Sequence, residues 1–113
     1  MRRGEIWIAD LNPRGGTEPA KTRPVLIVQA QDLIDAGHPS TIVLPLTTNL
    51  IDGAEPLRIR IRATGKLRES DVLVDQIRAI DNRRLVRGPV ARASSSMVTK
   101  IENALREVLD LLD

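Results

Sequence analysis

In 113 residues the chain has no cysteine, tyrosine or phenylalanine, one tryptophan (Trp7) and one histidine (His38). Each scarcity removes a class of chemistry. Without cysteine there are no disulfides, no thiol nucleophile and no thiolate metal site. The one histidine stands between Gly37 and Pro39 in what reads as a loop, and alone it builds neither a zinc site nor a His-based triad. No metal and no cofactor is therefore expected. A single aromatic argues against RNA binding through a row of stacking rings such as an RRM presents. No apolar run reaches membrane-spanning length, and Met1-Arg2-Arg3-Gly4 passes straight into a strand pattern. Neither a leader nor a membrane anchor is expected, and the cytoplasm is the expected location.

What is present suits an ordinary globular protein. The hydrophobic fraction is 42% and the charged fraction 28%, which argues against disorder. The length allows one core, so a single domain over residues 1–113 is expected. Net charge is only +2, a weak argument for nucleic acid by itself. Distribution says more, because Arg58, Arg60 and Arg62 cluster, as do Arg83, Arg84 and Arg87.

The apolar residues come in short, β-branched runs. Glu5 to Asp10 reads as a first strand, with Ile6 and Ile8 on one face and Trp7 on the other. A glycine- and proline-rich loop from Arg14 to Thr22 follows, placed to act as a lid over a groove and to carry Thr17, Glu18 and Lys21 to it. A strand rather than a helix comes after it, so it is neither a Walker loop nor a dinucleotide fingerprint. Val25 to Gln29 and Thr41 to Leu46 read as buried strands, with one helical turn from Gln31 to Ala36 between them. Leu57 to Arg62 alternates apolar and arginine. Its arginine face is either a solvated outer surface or part of an electrostatic track for RNA. Val72 to Ile77 reads as a further strand carrying Arg78 beyond it, Asn82 to Leu85 as a turn, and Gly88 to Ala91 as a short final strand. Short strands without crossover helices predict a mainly β fold, a small antiparallel SH3-like barrel. Ser94, Ser95 and Ser96 offer N-caps to a C-terminal helix whose stripe is Met97, Ile101, Leu105, Val108, Leu109 and Leu112. That helix is structural.

The organising stretch runs from Arg23 to Asn49. Arg23 precedes Pro24, which biases it towards extended backbone and gives its guanidinium a direction. Thr47 and Thr48 follow the third strand. If the two strands lie side by side, a permanent cation faces hydroxyls, as a phosphate-handling site requires. On spacing alone, the same residues also serve as a solvated edge arginine and a turn.

The ordered set Arg3-Gly4-Glu5-Ile6-Trp7, Asp10-Leu11-Asn12-Pro13, Gly16-Thr17-Glu18, Thr22 to Val28, Pro45-Leu46-Thr47-Thr48 and Asp75 to Asp81 spans nearly the whole chain. It resembles the MazF/PemK toxins of bacterial toxin–antitoxin modules. The resemblance implies a homodimeric small barrel that cleaves single-stranded RNA and is silenced by a cognate, MazE-like antitoxin. It implies that Arg23 and Thr47 are the catalytic pair and that Gln76 contacts RNA, although a cross-strand hydrogen bond would also explain Gln76. Thr17, Glu18, Lys21, Thr48, Asn49 and Arg78 complete the candidate RNA-binding set. Thr48 and Asn49 either read base edges or cap the turn, and Glu18 is either the general base or a loop and base contact. Where the family commonly has Gln after the loop carboxylate, this chain has Pro19, which removes an amide and stiffens the loop. A same-fold alternative is a CcdB-like toxin that binds DNA gyrase by protein contact, against which the pair Arg23 and Thr47 argues.

Overall fold

Runs such as Val25-Leu26-Ile27 and Val43-Leu44-Pro45-Leu46 form strands covered on both faces, which is why they do not alternate with polar residues. The computed structural model describes residues 1–12 and 21–111. In order, the elements are β1 (Glu5–Asp10), β2 (Thr22–Ile27), α1 (Gln31–Asp35), β3 (Ser40–Thr47), β4 (Arg58–Ile61), β5 (Ser70–Leu73), β6 (Arg78–Asp81), β7 (Leu85–Arg92) and α2 (Ser95–Val108). Single 3-10 turns at Val74–Gln76 and Asn82–Arg84 precede β6 and β7. No helix among the described residues is long and apolar enough to cross a membrane.

The seven strands form one curled antiparallel sheet in the order β4-β5-β3-β2-β1-β7, with β6 also paired to β3. The mainly β, SH3-like expectation therefore holds, although the barrel is not strictly closed. Between the end strands, the turn at Thr64–Leu67 reaches across, and the Lys66 N–H donates to the Val90 carbonyl at 3.0 Å. On one face Ile6, Leu26, Leu44, Leu46, Ile59 and Val72 pack with Ile101 and Ala104 of α2. On the other, Ala9, Val25, Ile27, Val43 and Ile80 are covered by Trp7, Leu11, Ile34 and Leu85. Trp7 lies against Gly88, where any Cβ would run into the indole ring.

Several expected elements have other bounds: the strand expected over Val25–Gln29 ends at Ile27, and the short final strand expected over Gly88–Ala91 is the eight-residue β7. The predicted strand Val72–Ile77 stops at Leu73, and a 3-10 turn separates it from β6. Val72, Leu73 and Val74 are all buried, so alternation gives no sign of where pairing stops. β5 serves β4 and the end of β3, β6 serves the start of β3, and the turn between them moves the chain from one register to the other. In α2 the stripe of Met97, Ile101, Leu105 and Val108 packs as expected, joined by Ala104. The helix ends at Val108, however, and Leu109 is 45% exposed. Leu112 lies outside the described residues.

The Ser94 hydroxyl accepts from the Met97 N–H at 3.2 Å and caps α2. Ser94→Ala is expected to cost about 1 kcal/mol, read as a lower urea midpoint at unchanged m-value.

Candidate functional site

Strand register builds the site. β2 and β3 pair Val25 with Pro45 and Leu26 with Leu44. Continued two residues past Val25 and Pro45, that register sets Arg23 opposite Thr47. Thr47 pairs with Asp71 on its other side, and Asp71 with Arg60. Opposed residues of a sheet share a face, so Arg23, Thr47, Asp71 and Arg60 form one row across four strands.

Above this row lies a cleft of about 570 Å³, walled by Arg23, Thr47, Asn49, Arg58, Gln76 and Arg78 over an apolar floor that includes Pro45 and Leu73. A smaller hollow of about 250 Å³ adjoins it. Arg23 and Thr47 line this one too, together with Pro24, Thr48 and Ser70. The two candidate catalytic residues thus stand on the ridge between two hollows, where an extended strand could pass from one to the other. Asn49, Gln76 and Arg78 share the cleft with them, and Thr48 lies in the second hollow. Lys21 is exposed and lines neither. Thr17, Glu18 and Pro19 lie outside the described residues.

The electrostatics are one-sided. Among the described residues, three guanidiniums and no carboxylate line the cleft. Neither the Arg23 nor the Arg78 guanidinium has a hydrogen-bond or ion-pair partner among them, so both side chains are free to bind an anion. The Thr47 hydroxyl oxygen accepts from the Asn49 N–H at 3.1 Å, which leaves its own hydrogen free to be donated outward. Such a group of fixed donors takes up a phosphodiester and stabilises charge that grows on its oxygens.

The arginine face of β4 is only in part the solvated surface that its alternation allows, since of its three arginines Arg62 alone is exposed. Ile59 and Ile61 point inward as expected, but Arg58 and Arg60 both turn onto Asp71, which is 1% exposed. Arg58 also enters the cleft wall, a role that sequence reasoning did not single out. The one available signal was an acid just ahead of the next apolar run, placed where a hairpin partner of β4 would begin.

Burial alone would push the Asp71 carboxyl up. Hydrogen bonds from Arg60, the Ile51 N–H and Arg58 outweigh that and hold it below the usual carboxylate range. Glu5 behaves likewise: burial pushes it up, and hydrogen bonds from Trp7, the Arg2 N–H and Arg92 bring it below its ordinary value. A carboxyl with a lower pKa folded than unfolded contributes stability above the unfolded value, near about 4, and loses it as pH falls through the folded value. Asp71→Asn is therefore expected to be less stable than the parent at about pH 7 and to lose less stability on going to about pH 3, read from urea midpoints at each pH.

Fold and site together define a small antiparallel β protein with an anion-accepting cleft opened by its central strands. The model of the PemK-like, MazF-like toxins of type II toxin–antitoxin systems matches residues 2–109. The chain belongs to that family. It is 34% identical over 115 residues to endoribonuclease EndoA of Bacillus subtilis, spanning 100% of this chain and 97% of that protein. It is 35% identical over 118 residues to endoribonuclease MazF9 of Mycobacterium tuberculosis, spanning 98% of each. Among solved structures, a MazE-MazF crystal structure from Deinococcus radiodurans superposes with a TM-score of 0.82 at 20% identity, covering 99% of this chain and 97% of that one. An endoribonuclease bound to its cognate antitoxin from a mycobacterial species gives 0.78 at 21% identity, covering 100% and 98%. At these identities the structural likeness concerns the fold.

Proposed function

We propose that this protein is the toxin of a type II toxin–antitoxin pair, a sequence-specific, metal-independent endoribonuclease that cuts single-stranded RNA in the cytoplasm. The observation that carries the reading is that Arg23 and Thr47 line the same two hollows, the larger of them walled by three guanidiniums and, among the described residues, no carboxylate. The curated relatives' names, each an endoribonuclease, support the same reading and not the gyrase-binding alternative.

In this mechanism the 2′-hydroxyl attacks its own phosphorus, the 5′-oxygen leaves, and a 2′,3′-cyclic phosphate remains. Arg23 forks two N–H donors onto the non-bridging oxygens of the scissile phosphate, and Thr47 adds its hydroxyl hydrogen. A guanidinium is a poor base at neutral pH, so Arg23 serves as the electrostatic partner or as the acid that protonates the leaving 5′-oxygen and is then reprotonated from solvent. Glu18 is the candidate base that takes the 2′-hydroxyl proton. Gln76, Asn49, Arg78 and Thr48 hold the flanking strand, and Thr17 and Lys21 are further candidate contacts to it.

The working unit is a homodimer, and the partner that silences it is a cognate MazE-like antitoxin. An acidic, partly disordered peptide would compete for the same guanidiniums. The deciding experiment incubates the purified protein with mixed-sequence single-stranded RNA in EDTA and maps the ends. Cuts at a defined sequence, each leaving a 2′,3′-cyclic phosphate, are the expected result. Intact RNA together with inhibited gyrase would overturn the reading.

A further inference from the structure

One arginine of the cleft wall has its direction imposed from behind, by a residue that is not itself in the cleft. Asp71 is 1% exposed. Its Oδ1 accepts from Arg60 Nε at 2.5 Å, and its Oδ2 accepts from the Ile51 N–H at 2.9 Å and from Arg58 Nη1 at 3.2 Å. Arg58 Nη1 also donates to the Asn49 carbonyl at 2.9 Å, and Arg60 Nη2 to Asp52 at 2.8 Å. One buried carboxylate therefore ties down Asn49, Ile51 and Asp52, the residues that lead away from Thr47. Arg58 is engaged through Nη1 alone. Its Nε and Nη2 hydrogens have no acceptor among the described residues, although the side chain lines the cleft. Removing charges from water is costly, and well-packed apolar residues serve stability equally well in such a place. What the charged arrangement adds is a guanidinium fork held in one orientation.

We infer that Arg58 is a phosphate-binding residue that grips a non-scissile phosphate beside the one at Arg23 and Thr47, and that Asp71 is the positioning residue that presents it. The assignment of the neighbouring phosphate as scissile rests on the ribonuclease reading above. β4 lies three strand spacings from β2, roughly 14 Å across a flat sheet and less across a curled one. That span suits two phosphates of one strand. A preoriented fork also loses less side-chain freedom on binding than a mobile one.

Anisotropy measurements with an uncleavable, fully 2′-O-methylated single-stranded RNA, at several salt concentrations, test this independently of catalysis. Arg58→Ala is expected to weaken binding roughly tenfold and to flatten the slope of log Kd against log salt by about 0.7, the share of one phosphate contact on a single strand. Arg58→Lys is expected to restore the slope. Asp71→Asn places an amide N–H where an oxygen now accepts from Arg60, or from Ile51 and Arg58, so it is expected to weaken binding to a similar degree. In the Arg58→Ala background it is expected to weaken binding no further. The inference is overturned if Arg58→Ala leaves the salt slope unchanged, or if the losses from the two positions multiply. Should Asp71→Asn fail to fold, the comparison of Arg58→Ala with Arg58→Lys still decides whether position 58 grips a phosphate. A parent protein that binds the oligonucleotide with these dependences yet never cuts ordinary RNA would sink the ribonuclease reading and leave the phosphate site standing.

Discussion

Arg23→Ala is expected to lower kcat for RNA cleavage by about 100–1000-fold, and Thr47→Ala to do the same, while leaving the fold in place. Both residues face the cleft, and the size of the loss follows from what each gives the reaction. As the 2′-oxygen attacks, negative charge spreads over the non-bridging oxygens, and donors already aimed at them stabilise that charge without reorganising. Because the two donors act on one phosphate, the double variant is expected to fall little below the worse single one. Arg23→Lys keeps the charge but loses the fork, so it should recover only part of the rate. The measurement is single-turnover cleavage of a fluorescent single-stranded substrate, beside thermal melts and size-exclusion profiles of the same preparations. Arg23 is exposed and Thr47 half-buried, and neither belongs to the apolar clusters, so melting temperature and oligomeric state should stay where they are. A variant that lost activity only together with its melting transition would reveal a structural residue and remove that side chain from the mechanism.

The meeting of Arg23 and Thr47 at one cleft is readable from sequence because each flanks an apolar run too short for a helix. Two such runs joined by about a dozen residues fold back antiparallel, and the outer flanks then meet. Pro24 proves to be part of β2, not a boundary before it: β2 begins at Thr22, and Pro24 pairs with Ile8 ahead of the first registered pair with β3. The role of Arg58 is not readable in the same way. Alternation from Leu57 to Arg62 shows that three arginines share a face but not what that face meets. Its partner Asp71 lies thirteen residues on, ahead of a run of Val72, Leu73 and Val74 that hides its own boundary by being buried on both sides. The contact exists only once β4 and β5 have paired, a long-range event to which local pattern is blind. For the same reason Arg60, nominally one of three exposed charges, becomes the half-exposed partner of a buried carboxylate, whereas Arg62 remains exposed.

Ile101→Ala should give the opposite result to Arg23→Ala, a large loss of stability with the chemistry retained. Ile101 is 1% exposed and sits where α2 meets the sheet, next to Ala104. The small side chain of Ala104 lets the helix approach closely, and Ile101 fills the space beside it. Truncation removes buried methyl groups and leaves a cavity that the rigid sheet below does not fill, at a cost of about 2–5 kcal/mol. For a chain of this size that lowers the melting temperature by about 10–20 °C, a large part of a typical total stability of about 5–15 kcal/mol. α2 also packs on the Val74–Gln76 turn, the segment that brings Gln76 to the cleft wall. Some loosening there should appear as a raised KM, whereas Arg23, Thr47 and their register on β2 and β3 do not depend on the helix. Well below its lowered melting temperature, Ile101→Ala should therefore cut RNA with a kcat close to the parent's. If kcat collapsed while circular dichroism and the m-value showed the protein folded, the helix would have to be counted as part of the catalytic apparatus, and scaffold and chemistry would not be separable in this fold.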